Sequence, residues 1–293
     1  MPELPEVQTV ARELRRSLPG LRIRRVLCHF PGVVSSGADC FRDALRGRAF
    51  ISIARHGKYL FLRLSDGREV AVHLRMTGQV LLLPRREPRD GHTHLEIFFT
   101  KSAHKLVFRD VRKFGRLELL PGSLPEFIRA KRLGPDALQI SPERLYESLR
   151  RTQRCLKAAL LDQRVLAGLG NIYTDEVLFR ERLSPRRRSC SLTRQRVESL
   201  AVSIHRVLRA AIRRRGTSIS DYVDPGGRRG RFQFVLQVYG RKGAPCPRCG
   251  TAIARGKVAG RGTWTCPRCQ RDPTPRASAH WTGPGIGATV KNG

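Results

Sequence analysis

The sequence predicts an α+β, multi-domain chain: a leading helix and a β-sandwich or barrel, then a helical half, then a cysteine hairpin. Three observations predict it. Short, partly alternating apolar runs fill residues 21–120, helical periodicity takes over after Ser141, and two Cys-x2-Cys pairs close the patterned region. At 293 residues the chain has the length of about two domains of roughly 150 residues each. Hydrophobic residues make up 40%, enough for a real core.

Pro5–Leu18 reads as the leading helix. Val7, Val10, Ala11, Leu14 and Leu18 recur at helical spacing, with Arg12, Arg15 and Arg16 off that face. Eight strands follow: Leu21–Val26, Ala49–Ala54, Tyr59–Leu64, Glu69–Leu74, Gln79–Leu83, His94–Phe99, Lys105–Arg109 and Arg116–Leu120. Turn signals such as Ser65-Asp66-Gly67 separate them. The character changes near Pro121-Gly122, and Gly134-Pro135-Asp136 lies in the expected interdomain crossing. Ser141-Pro142-Glu143 offers an N-cap serine with proline at the first helical position. Helices are expected over 142–149, 153–162, 171–182 and 193–214. Asp224–Arg231 is a basic, Gly-rich loop, Phe232–Tyr239 a strand, and the tail from Arg271 reads as disordered. The expected division is 1–122, a linker 123–140, a helical unit 141–235, a cysteine module 236–270 and a tail 271–293.

The charge balance narrows the function. Lys+Arg total 57 against 24 Asp+Glu, a net +33 at pH 7. A solvated face accounts for a modest excess, but +33 calls for a polyanionic partner, in the first place nucleic acid. No segment approaches the roughly 18 apolar residues of a membrane span. The N-terminus, with Glu3 and Glu6 before its first arginine, has no apolar stretch of a secretory signal. Reduced cysteines and a cytoplasmic location are expected.

Cys246-x2-Cys249 and Cys266-x2-Cys269 enclose sixteen residues, 250–265. That is paired-knuckle spacing for one structural Zn²⁺ held by four thiolates. A redox pair or disulfides are weaker readings of two matched turns. Gly250 and Gly262 suit tight turns. Cys28, Cys40, Cys155 and Cys190 read as small core residues. His92-x-His94 reads as strand alternation rather than a metal pair. Arg241, Lys242, Arg248, Arg255, Lys257, Arg261 and Arg268 make the knuckle a DNA-binding element.

The chain starts MPELPEV. If Met1 is removed, Pro2 becomes a secondary amine with a pKa near ~8, partly neutral and nucleophilic at physiological pH. Its attack on a sugar C1′ gives an iminium, an electron sink for elimination. Glu3 and Glu6 stand beside it as proton carriers. A plain helix start, with proline and acids in its first turn, explains the same residues.

MPELPEV, His56-Gly57-Lys58-Tyr59-Leu60, Gly168–Glu176 and Val238–Gly243 before the cysteines together resemble the formamidopyrimidine-DNA glycosylase family, from residue 1 to about 270. The resemblance implies an N-terminal β-sandwich behind a helix, a helix–two-turn–helix domain and a zinc-finger hairpin. It implies a bifunctional enzyme acting on double-stranded DNA with oxidised bases or abasic sites, as a monomer. Pro2 would be the Schiff-base nucleophile, Glu3 the general acid/base at the deoxyribose, and Glu6 a supporting carboxylate. Lys58, counted with the catalytic residues, would hold phosphates with Asn171 and Arg261, Asn171 doubling as a helix N-cap. Met76, Arg112 and Phe114 match the residues that fill the void left by a flipped base. His92 and Arg228 complete the expected DNA contacts. Arg228 lies where a lysine is often seen, in a loop, DYVDPGGRRGRF, that departs from the family's pattern and leaves the lesion range open. The course would be flipping, attack by Pro2 on C1′, base loss, and β- and δ-elimination. Two rivals are an endonuclease VIII-like enzyme for oxidised pyrimidines, against which Leu4 and the Arg112-x-Phe114 pair speak, and a non-catalytic zinc-bearing DNA-binding protein. A ribosome- or RNA-binding zinc protein explains the charge and cysteines but not the N-terminal motif.

Overall fold

The computed structural model describes residues 1–219 and 221–272. Helix α1 (Leu4–Ser17) has Pro5 in its first turn, and Glu6 returns its carboxylate to the Glu3 N–H at 2.7 Å. Val7, Val10, Ala11 and Leu14 form its buried stripe. Each of the eight expected strands is present: β1 (Ile23–Cys28), β2 (Phe50–His56), β3 (Tyr59–Leu64), β4 (Glu69–His73), β5 (Gly78–Pro84), β6 (Thr93–Phe99), β7 (His104–Asp110) and β8 (Arg116–Leu119). They form two antiparallel four-stranded sheets, β1-β6-β7-β5 and β2-β3-β4-β8. Inward residues of both sheets, such as Phe50, Leu62, Val72, Ile97 and Phe108, share one core with the stripe of α1. This is a sandwich, not a closed barrel.

Helix α2 (Ala38–Leu45) was not anticipated. Eight residues long and capped by Gly37 rather than a polar side chain, it gives almost no periodic signal, yet it buries Phe41, Ala44 and Leu45. Helix α3 (Leu124–Ala130) occupies part of the expected linker, started by Ser123 with Glu126 at N3. The other helices are α4 (Pro142–Arg150), α5 (Leu156–Leu161), α6 (Asn171–Arg180) and α7 (Arg194–Arg213). Ser141 caps α4 as expected, its hydroxyl accepting from Arg144 N. Helix α6 is buried from Ile172 to Phe179, so it runs through the second core and is held on every side.

Hairpin β9 (Ala254–Val258) and β10 (Arg261–Thr265) carries the second half of the cysteine module. Its turn is Ala259-Gly260, both with positive φ, as a two-residue hairpin turn requires. Gly250 takes φ +73°, but Gly262 lies inside β10, so the expected turn at Gly262 is displaced. The expected strand at Phe232–Tyr239 is absent. A 3₁₀ turn covers Phe232–Val235, and the N–H groups of Gln237, Val238 and Tyr239 bond the Glu176 carboxylate instead of a neighbouring strand. Its apolar alternation reflects docking onto α6 and α7 rather than pairing, and Phe234 is 77% exposed. Cys28 is half-buried and packs against the sandwich core as expected, whereas Cys40 is exposed and Cys155 and Cys190 are half-buried outside the core clusters. The expected tail begins at Arg271, and its residues from 273 onward lie outside those described. Among the described residues no helix is long and apolar enough to cross a membrane.

Candidate active site and nucleic-acid interface

The site forms where the start of α1 meets the start of α6. The first turn of any α-helix leaves N–H groups without intrahelical partners. In α6 the carboxylate of Glu3 takes them, accepting from Gly170 N at 2.7 Å, Ile172 N at 2.9 Å and Tyr173 N at 3.4 Å. Gly170 is required, because a Cβ there would stand 2.3 Å from the Glu3 carboxyl carbon. The N-cap of α6 is Gly170, not Asn171 as expected from its residue type. An Asn cap is superfluous where a carboxylate from another helix already meets the free N–H groups and the positive end of the dipole. Glu3 is 2% exposed. Burial pushes its carboxyl above the ordinary value, against the pull of the Lys58 charge and the three backbone donors.

Glu6 lies one turn on and is equally buried. Its carboxylate accepts the Tyr173 hydroxyl at 2.5 Å and Thr217 N at 2.7 Å. Burial, and then the neighbouring Glu3, raise it to about 7. Glu6 thereby ties α1, α6 and the segment after α7 into one unit. Lys58, on the turn between β2 and β3, is 6% exposed. Desolvation lowers its ammonium and the charges of Glu3 and Glu6 restore part of that, while Arg261 lowers it further. Met1 precedes Pro2 here, so the Pro2 nitrogen is an amide; Pro2 itself is buried beside Glu3.

Asn171 donates Nδ2–H to the Gly262 carbonyl at 2.9 Å, and its buried Oδ1 has no partner. Gly262 follows Arg261 in β10, so α6 and the hairpin meet at this bond. Beside it the Lys157 ammonium, fully buried, bonds Asp175 at 2.6 Å, Thr263 Oγ1 at 2.9 Å and the Gly262 carbonyl at 3.1 Å. Asp175 also accepts Trp264 N at 3.0 Å. Burial pushes Asp175 up to about 7 and Lys157 down. This node sets the hairpin that carries Arg261. Sequence reasoning missed it, since nothing in the spacing of 157, 175 and 263 links them.

Met76, Arg112 and Phe114 come together on two adjacent turns. Met76 is 38% and Phe114 48% exposed, so neither is a core residue. The Arg112 guanidinium stacks over the Phe114 ring at 4.7 Å. Asp110, fully buried, joins the turns: it accepts from Thr77 Oγ1, Arg112 N at 3.2 Å and Gly115 N at 2.6 Å. His92 is exposed just before β6, whereas the buried His94 ring contacts the Asp110 carbonyl at 2.7 Å. Arg228 stands apart from the Glu3 cluster, bonding Asp224 at 3.2 Å and Glu13 at 3.5 Å. Its loop rests on the sandwich, with Leu82 N donating to the Pro225 carbonyl.

The four expected cysteines converge. Their sulfurs lie within 4.8 Å of one another, a cluster no other potential ligand group matches among the described residues. Cys246–Cys269 is 3.9 Å and Cys249–Cys266 3.5 Å. Tetrahedral sulfurs ~2.3 Å from one zinc ion stand roughly 3.8 Å apart, so the donor set fits Zn²⁺. Backbone N–H groups of Arg248 and Cys269 point at Cys246 Sγ and Cys266 Sγ, both at 3.4 Å, and stabilise thiolates there. Four closed thiolate positions leave no room for substrate, so the metal is structural and fixes the knuckle.

Comparison with known proteins agrees. The profile described as formamidopyrimidine-DNA glycosylase N-terminal domain matches residues 1–117. The glycosylase H2TH domain matches 133–223, and a zinc finger found in FPG and IleRS matches 243–271. The chain is 42% identical over 275 residues to formamidopyrimidine-DNA glycosylase of Pelotomaculum thermopropionicum, covering 92% of this chain and 99% of that one. The Carboxydothermus hydrogenoformans enzyme is 42% identical over 274 residues, covering 92% and 100%. Among solved structures, Lactococcus lactis Fpg with abasic-site DNA superposes with a TM-score of 0.87 at 38% identity, covering 92% of this chain and 100% of that one. MutM with carbocyclic 8-oxo-G DNA gives 0.86 at 38%, with the same coverage. The chain belongs to the formamidopyrimidine-DNA glycosylase family.

Proposed function

We propose that this chain is a base-excision repair enzyme that removes oxidised purines from double-stranded DNA and then cuts the backbone as a lyase. The observation that carries the reading is the buried Glu3 carboxyl, set beside Pro2 on the N-terminus of α6 with Lys58 in its field. Relatives solved with Fapy-dG, abasic-site and 8-oxo-G DNA support the substrate class.

Removal of Met1 turns the Pro2 amide into a secondary amine with a pKa near ~8. The amine attacks C1′ of a flipped nucleotide, forming the N–C1′ bond as the glycosidic bond breaks toward the base. Glu3, its pKa raised by burial, donates the proton that lets the sugar ring open to the iminium. Loss of the C2′ proton expels the 3′ phosphate, and a second elimination expels the 5′ phosphate. The product is a one-nucleotide gap with phosphates at both ends. Glu6 holds Glu3 and Tyr173 in place through its own bonds. Lys58, Asn171 and Arg261 hold the flanking phosphates. Met76, Arg112 and Phe114 fill the emptied stack, Arg112 facing the orphaned cytosine, and His92 and Arg228 add DNA contacts. The zinc ion supplies no chemistry of the reaction and keeps the Arg261 hairpin folded. The enzyme works as a cytoplasmic monomer, in keeping with its bacterial relatives and thiol-rich metal site.

The test is a Met1-processed chain on a duplex with one 8-oxoguanine opposite cytosine. Release of the base and strand cleavage leaving two phosphate ends is the expected result. Binding without cleavage on this duplex, on an oxidised pyrimidine and on an abasic site overturns the enzyme reading.

A further inference from the structure

Helix α6 presents its N-terminus to Glu3, and its last residue, Arg180, lies eight residues beyond Ile172, roughly 12 Å along the axis at 1.5 Å per residue. At that far end a cavity of about 380 Å³ opens between α6, α7 and the first cysteine knuckle. Four arginines line it: Arg180 from α6, Arg206 from α7, Arg214 just after it, and Arg248 from the knuckle. Phe179 and Val235 lie in its apolar floor.

The arginines are short of counter-charge. Among the described residues none of the four forms an ion pair, although guanidinium groups elsewhere in the chain pair with Asp136, Asp162 and Asp224. The carboxylate in the wall, Glu176, is spent on the N–H groups of Gln237, Val238 and Tyr239. Arg248 lies over the Phe179 ring at 4.8 Å and donates to the carbonyls of Phe179 and Arg180, which fixes it in the wall. Arg180 is held below the ordinary arginine value by burial and then by the charges of Arg206 and Arg248, with the adjacent Glu181 restoring only part of it. Folding has thus gathered cations from three separate elements around one hollow against their mutual repulsion, which a bound anion relieves. Arg209 and Arg213 line an adjoining hollow with Arg206, so the positive field continues along α7.

We propose that this cavity is a phosphate-ester site separate from the catalytic cluster. Guanidinium groups suit phosphate oxygens through charge-assisted, bidentate hydrogen bonds. The volume falls within the roughly 300–1,000 Å³ of small-ligand pockets, and the apolar floor takes the organic part of the ester. The same chemistry is offered by a free mononucleotide and by the phosphorylated end of a second nucleic-acid strand.

The experiment uses the zinc-loaded full chain saturated with a duplex carrying an uncleavable abasic analogue, so that the catalytic cluster is occupied. Calorimetry then follows titration with dAMP, with deoxyadenosine, and with an undamaged 5′-phosphorylated duplex. Saturable binding of one equivalent of dAMP or of the second duplex is expected, with none for deoxyadenosine. The arm that binds identifies the source. Arg180→Gln/Arg206→Gln, and Arg206→Gln alone, are expected to weaken that binding at least tenfold and to cleave lesion DNA at the unaltered rate. That unaltered rate shows each variant folded. Absence of binding in both phosphate-bearing arms, or binding by both variants as tight as that of the unaltered chain, overturns the proposal. A chain that never takes up the abasic duplex fails in the loading step, which speaks against the repair reading; the free chain is then titrated instead.

Discussion

Arg55 of β2 and Asp136, between α3 and α4, form a two-pronged ion pair, 2.5 Å and 2.9 Å, with both side chains about one-twentieth exposed. Asp136 also accepts the Gly57 N–H at 2.7 Å, so the residue before Lys58 is anchored from the other half of the chain. A pair 81 residues apart thereby sets the turn that carries Lys58.

Asp136→Ala leaves a buried guanidinium without its partner and is expected to cost about 3–5 kcal/mol in denaturant unfolding. Arg55→Met/Asp136→Leu, which removes both charges, is expected to recover most of that loss. Equal losses in the two variants would show that the pair acts only through packing.

Glu6 titrates near 7 when folded against 4.5 when free. The folded chain therefore keeps a proton that the unfolded chain releases, so this stabilisation is complete below about pH 4.5 and is lost as pH rises through 7. Glu6→Gln is expected to flatten the fall in melting temperature between pH 5 and 8, a difference worth about 2–3 kcal/mol at the upper end. Parallel curves for the two proteins contradict the assignment. Asp175, also near 7, titrates in both and cancels.

Asp110 holds the Met76 turn and the Arg112–Phe114 turn in one register. Asp110→Ala strands the buried Gly115 N–H, costing about 1–3 kcal/mol, and leaves the Arg112 N–H with Thr77 Oγ1 alone. Excision opposite cytosine relative to adenine is expected to lose about tenfold in selectivity, close to the effect of Arg112→Ala. Unchanged selectivity would separate Asp110 from reading of the partner base.

Removing zinc with a chelator is expected to unfold the β9–β10 hairpin and release the Gly262 carbonyl from Asn171 and Lys157. Duplex affinity then falls at least tenfold, while amide exchange in the β-sandwich stays slow. Metal analysis should return one zinc per chain before treatment. A hairpin that stays protected after zinc loss would mean that its own contacts suffice.

Much of this architecture was legible because it repeats locally. Alternation along β3 or β6, the Ser141-Pro142 start of α4 and the two Cys-x2-Cys turns each sit within a few residues. What escaped depends on distant partners. Phe232–Tyr239 alternates like a strand, yet its N–H groups go to Glu176, some sixty residues earlier. Asn171 reads as a cap only until Glu3 is known to reach α6 from another helix. Lys157, ordinary in a helix of six residues, becomes a buried strut only where Asp175 and β10 meet it. The candidate site was legible as residue names through the family's motifs. Its electrostatics, two stacked carboxyls forced upward by burial, required the fold.

Pro2, freed of Met1, is proposed as the nucleophile and Glu3 as its proton partner. The direct measurement is borohydride trapping on 8-oxoguanine opposite cytosine, with the covalent protein–DNA adduct digested and mapped by mass spectrometry. The expected result is an adduct on Pro2 of the N-terminal peptide, absent in Pro2→Gly, and slowed at least a hundredfold in Glu3→Gln with duplex binding retained. An adduct on an internal lysine, or one undiminished in Pro2→Gly, would contradict it.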